Sequence, residues 1–118
     1  MPTISLGATH NEFEKVTGNK TLDEGDSGVA QDVRVTATVT LPATVSGTHY
    51  LVRVGKVGIT VTIAPAAADK IMGNGFTSAD NKAMIFTNQP AGSYVVLAAD
   101  GVNGWFVSRI LGTATRQA

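Results

Sequence analysis

The 118-residue chain contains no cysteine. Disulfide frameworks, thiolate zinc sites and thiol nucleophiles are thereby excluded. Charge is scarce: 15% of residues are Asp, Glu, Lys or Arg, against about 25% in ordinary soluble domains. It also balances at nine of each sign, so the basic excess of a nucleic-acid binder is missing. No apolar run approaches the roughly 18 residues of a membrane span, and no signal peptide is read at the start of the chain. A chain with so little charge is poorly suited to life as a lone soluble molecule and suits a subunit within an assembly.

What is present points to β structure in one domain. A compact domain of this size buries roughly two-thirds of its unfolded surface and needs no metal or disulfide. Val33, Val35, Ala37, Val39 and Leu41 alternate with Arg34, Thr36, Thr38 and Thr40, the period of a half-buried strand. Pro42 ends the run because proline cannot donate to a ladder. Tyr50, Val52 and Val54 share one face of a second run, and Val57, Ile59, Val61 and Ile63 one face of a third. The short Gly55-Lys56 connection predicts that these two form a hairpin. Further strands are expected at 70–72, 83–87, 93–99 and 104–111, with Met84 and Phe86 together and Trp105, Val107 and Arg109 opposite Phe106 and Ile110. Pro65–Asp69 is the one segment read as a possible helical turn. Val35, Val39, Ile59, Val61, Val96 and Trp105 are expected to face the core.

About eight short strands with turn signals every 8–12 residues fit an all-β fold: an antiparallel sandwich, jelly-roll-like or small barrel, with a β-tulip-like arrangement as the alternative. Residues 1–18 lack this rhythm and read as an extended N-terminal arm before a β-rich domain at 19–118. The arm still carries Ile4, Leu6, Phe13 and Val16, which a purely solvated tail rarely needs. These four are the candidate contacts to a neighbouring subunit. Residues 1–32 hold six acids against Lys15 and Lys20, a net −4. Residues 33–118 hold seven bases against three acids, a net +4. Such asymmetry can orient a docked subunit.

No motif carries a catalytic reading. Gly25-Asp26-Ser27-Gly28 matches the string around a serine-protease nucleophile. A triad also needs a histidine and an aspartate in place, and neither His10 nor His49 has a supporting context, so the string reads as a turn. Asp23, Glu24 and Asp26 do not have the spacing of a calcium loop. Asn19-Lys20-Thr21 matches a glycosylation acceptor but has no secretory context. Trp105, Tyr50, Tyr94 and the four phenylalanines could form a sugar-stacking platform, although a lone Trp on an alternating strand is more often core or subunit interface. No cofactor, metal, nucleic acid, membrane or small-molecule substrate is expected, and no enzymatic activity.

Taken in order, Thr21-Leu22, Asp26-Ser27-Gly28, Val39-Thr40-Leu41-Pro42-Ala43, Gly47, Tyr50, Val61-Thr62-Ile63, Ile71 to Gly75, Val96-Leu97 and Gly104-Trp105-Phe106-Val107 form a series. That series, across residues 20–113, resembles the small capsid decoration (cement) proteins of tailed bacteriophages and related modules of phage head and tail fibres. The resemblance implies a homotrimer bound to the major capsid protein on the outer surface of the virion, assembled in the host cytoplasm and stabilising the shell. Ile4, Leu6, Phe13 and Val16 would then contact the capsid or a neighbouring subunit. The alternative is a receptor- or carbohydrate-binding knob of a fibre.

Overall fold

The computed structural model describes residues 13–73, 75–77 and 81–117. Among them lie twelve strands: β1 (Phe13–Val16), β2 (Lys20–Thr21), β3 (Ala30–Val33), β4 (Ala37–Thr40), β5 (His49–Val54), β6 (Thr60–Ala64), β7 (Lys70–Gly73), β8 (Phe76–Thr77), β9 (Met84–Thr87), β10 (Tyr94–Ala99), β11 (Gly104–Leu111) and β12 (Thr115–Arg116). The all-β class expected from the alternation is what the chain adopts. One sheet has the order β1-β3-β5-β10-β11-β7-β8 and the other β12-β9-β6-β4-β2. Both are mixed rather than purely antiparallel, because β1, β3 and β5 run parallel, as do β2, β4 and β6.

The parallel pairs follow from how the chain travels. From β1 to β7 each successive strand joins the opposite sheet. Parallel neighbours need a crossover of a dozen or more residues, usually a helix. Here the strand of the facing sheet is that crossover. The expected hairpin of residues 48–54 with 57–64 is therefore absent: β5 and β6 lie in different sheets. The turn between them turns Val57 out to solvent, 68% exposed.

Between the sheets lies one apolar core. Val16, Val33, Tyr50, Val52, Val54, Val95, Leu97 and Trp105 from the larger sheet meet Val39, Val61, Ile63, Met84 and Phe86 from the smaller. The Trp105 and Tyr50 rings pack with centroids 5.4 Å apart, tilted by 54°. Such a pair adds about 1 kcal/mol beyond its buried area. The Tyr50 hydroxyl donates to the Asp23 carbonyl at 2.8 Å. Burial, with Asp26, Asp23 and Glu24 nearby, pushes its pKa up to about 12.

Several expectations are corrected. The run 33–42 is two strands in different sheets, and Val35 sits in the exposed link between β3 and β4. Val96 faces outward, and its neighbours Val95 and Leu97 are the buried ones. In β11 the ladder to β10 slips: Val96 pairs with Arg109 but Leu97 with Val107, which leaves Ser108 as a bulge. A bulged residue shifts the alternation by one, so Ile110 packs on the core instead of sharing the face of Phe106. Pro65–Asp69 is not helical, and the one 3₁₀ turn among the described residues is Glu24–Asp26. Residues 13–16, assigned above to the arm, are a sheet strand, so the β-rich domain begins before residue 19; residues 1–12 lie outside the described residues.

Gly104 shows how tightly β11 is fitted. Its φ is +145°, and a Cβ there would overlap the Lys70 carbonyl and stand 2.6 Å from the Lys70 nitrogen. Gly47, at φ +95°, has open space where its Cβ would be. Gly104→Ala should therefore cost more than Gly47→Ala. We expect about 3 kcal/mol or more against about 1 kcal/mol, read from urea denaturation of the two variants. Equal losses would mean that the fit of β11 against β7 is not what constrains residue 104.

Candidate interaction surfaces

The two outward faces of the sandwich differ in chemistry because the alternation of each strand places different residues there. On the smaller sheet the outward positions are mainly threonines. Thr38 stands beside Thr62, Thr21 beside Thr40 and Thr60 beside Thr87. On the larger sheet apolar residues share the outward positions with charged ones, among them Lys15, Arg53 and Arg109. Phe13, Ala30, Leu51 and Val96 stand abreast across four strands. Ala98, Phe106 and Met72 form a second row, and Tyr94 stands beside Leu111. Phe13 is 49% exposed, Phe106 44% and Leu111 56%. Large apolar side chains grouped on one face mark a contact surface more than isolated ones do.

At the β1 end of this face a charged network is set into the apolar row. The Asp32 carboxylate, almost fully buried, takes Arg53 Nε at 2.9 Å and Arg34 Nη1 at 3.1 Å. The Arg53 guanidinium lies 4.1 Å from the centre of the Phe13 ring, a cation–π arrangement that fixes both side chains. Gly55 leaves room for the network: a Cβ there would stand 2.5 Å from Asp32 Oδ1 and 2.7 Å from Arg34 Cδ. Burial alone would raise the Asp32 pKa, but the two arginines together hold it below the ordinary carboxylate value. At the edge, the fully buried Gln31 donates to Glu14 at 3.3 Å and accepts from Lys20 at 3.2 Å, while Lys20 also pairs with Glu14. The Lys20 hydrogen bond lowers the Glu14 pKa.

Of the four candidate contacts, Phe13 lies on the apolar face, whereas Val16 points into the chain's own core, 2% exposed. Val16 therefore has no surface to offer a neighbour. Ile4 and Leu6 lie outside the described residues. The Ser27 hydroxyl accepts from the His49 backbone N–H at 3.0 Å and donates to the His49 carbonyl at 3.2 Å. It ties the turn after the 3₁₀ segment to β5, as the turn reading requires. Asn19 Oδ1 accepts from the Thr38 N–H at 2.9 Å, so its amide is used within the fold. Among the described residues no group of three or more His, Asp or Glu is placed to hold a metal ion. Trp105 and Tyr50 are in the core and so form no stacking platform; the buried Trp105 indole N–H has no partner.

Sequence reading missed the Asp32 network. Asp32 and Arg34 are two apart and so would share a strand face, which was a usable signal. Nothing local pairs Asp32 with Arg53, 21 residues away. No protein-family model matches the chain, and comparison with curated proteins and with solved structures finds no match.

The network predicts a pH dependence. An aspartate whose pKa is depressed on folding contributes stability above its unfolded pKa near 3.9, and loses it as pH falls through the folded value. Asp32→Asn should cost about 1–2 kcal/mol at pH 7, because both arginines keep access to water. The gap between parent and variant should stay constant above about pH 5 and narrow below pH 4. Guanidinium melts of both proteins from pH 2.5 to 7 check this; a gap unchanged at pH 2.5 refutes the assignment.

Proposed function

We propose that the chain is a structural virion protein. On this reading it is a decoration subunit that binds the outer surface of a tailed-phage head as a homotrimer and stabilises the shell. The apolar outward face of the larger sheet carries this reading. Phe13, Leu51, Val96, Phe106 and Leu111 lie on a rigid sheet over a well-packed core. Such a face is suited to burial against another protein surface. The low, balanced charge agrees with a chain that spends its life in an assembly. A trimer that bridges several shell subunits multiplies weak contacts into stable attachment without one strong site. The order of strand and turn motifs that resembles decoration proteins supports the same reading.

Two substitutions separate association from folding. Phe106→Glu and Leu111→Glu alter outward positions of β11, so each should leave the melting midpoint of the monomeric unit nearly unchanged, within about 1 kcal/mol. Each should lower occupancy on particles by at least about tenfold, since a charge then faces a desolvated contact. Cryo-electron microscopy of the particle that carries the chain locates it directly. Variants that assemble and decorate like the parent overturn this use of the face, and a chain found away from the capsid overturns the function.

A further inference from the structure

The strand orders of the two sheets are aligned end to end. β1 and β2 are the terminal strands at one end of the sandwich, joined there by the Glu14–Lys20 ion pair. β8 and β12 are the terminal strands at the other end, joined by Arg116 Nη1 donating to the Thr77 carbonyl at 3.0 Å. At the first end the turn Glu24–Asp26 follows β2, with Asp23, Glu24 and Gly25 exposed. Lys20 is already engaged by Glu14 and lies 3.9 Å from Asp26. Among the described residues neither Asp23 nor Glu24 enters an ion pair. At the far end a groove of about 580 Å³ lies between the two sheet edges, lined by Phe76, Thr77, Thr115 and Arg116 among others. Arg116 is exposed there.

We infer that the acidic turn Asp23–Asp26 of one subunit docks in the Arg116 groove of the next copy of this chain. An exposed acidic turn and a groove that holds an exposed arginine, toward opposite ends of the strand order, are opposite in charge. A contact between two different patches is head-to-tail, and head-to-tail contacts close into rings when the rotation allows. The edges themselves are too short to associate by strand pairing: β2, β8 and β12 hold two residues each, and short edges are how sheets avoid backbone pairing with other chains. Side-chain charge therefore carries the contact. The inference rests on the homo-oligomer reading above and specifies which surfaces meet.

A charge swap in the full chain tests it. Glu24→Lys and Arg116→Glu should each weaken self-association about tenfold or more in sedimentation equilibrium, by placing like charges together. Arg116→Gln, which keeps a donor for Thr77, should weaken it too, and the parent should dissociate further as salt rises. The double variant Glu24→Lys/Arg116→Glu restores the opposite pair in reversed sense and should recover association to within about threefold of the parent. Circular dichroism melts of each variant confirm folding. An oligomeric parent whose single variants associate normally, or a double variant no better than the weaker single, overturns the docking and leaves the oligomer reading standing. A parent that sediments only as a monomer overturns both.

Discussion

A parallel pair of strands cannot be closed by a tight turn, and this chain forms its parallel pairs without a crossover helix. From β1 to β6 each return journey is made by a strand of the facing sheet. As a result β1, β3 and β5 stack in one sheet while β2, β4 and β6 stack in the other, and the core is built from both sheets at each pass. The connection that closes a parallel pair in one sheet is thus itself a member of the other. The later strands β10 and β11 then seal the larger sheet as an ordinary antiparallel pair.

Loop economy follows from the same path. The crossings at Arg34–Thr36 and Gly55–Ile59 hold few residues, so their positions are demanding. Gly55 has its would-be Cβ space filled by Asp32, Arg34 and the Val33 carbonyl, and Gly58 takes φ +85° in the open. The Asp32 network is thus a product of the crossing: the chain leaves β3 through Arg34, returns as β5, and brings Arg53 beside Asp32. Phe13 completes the cluster only because β1 lies one strand further out.

Alternation over single strands was legible in the sequence. Tyr50, Val52 and Val54, Val61 and Ile63, and Met84 and Phe86 are buried as their period-2 spacing requires. The partnership of those strands was not legible, because a strand buried on one face reads the same in either sheet. That is why β5 and β6, adjacent in sequence, look like a hairpin. Val35 failed for a related reason: a link residue that continues the alternation by chance cannot be told from a strand residue. Ile110 failed because Ser108 bulges, and no residue type at 108 announces it. Of the candidate contacts Phe13 reached an outward face while Val16 went inward, three residues on in a strand whose faces alternate.

The two outward faces show what composition alone could not place. The scarcity of charge is a property of the whole chain, but it is not spread over the sandwich. The smaller sheet meets solvent largely through threonine hydroxyls, which are hydrated without charge. The larger sheet has an apolar face whose one deep carboxylate, Asp32, is answered by two arginines. Among the described residues, exposed charge outside the ion pairs is found at Asp23 and Glu24 and at Arg116, and also at Lys15, Lys56 and Arg109. Exposed charges on separate elements are screened beyond a Debye length of about 8 Å. They act mainly when another molecule brings opposite charges within that distance, so the exposed charge belongs to association and the alternation pattern to the fold.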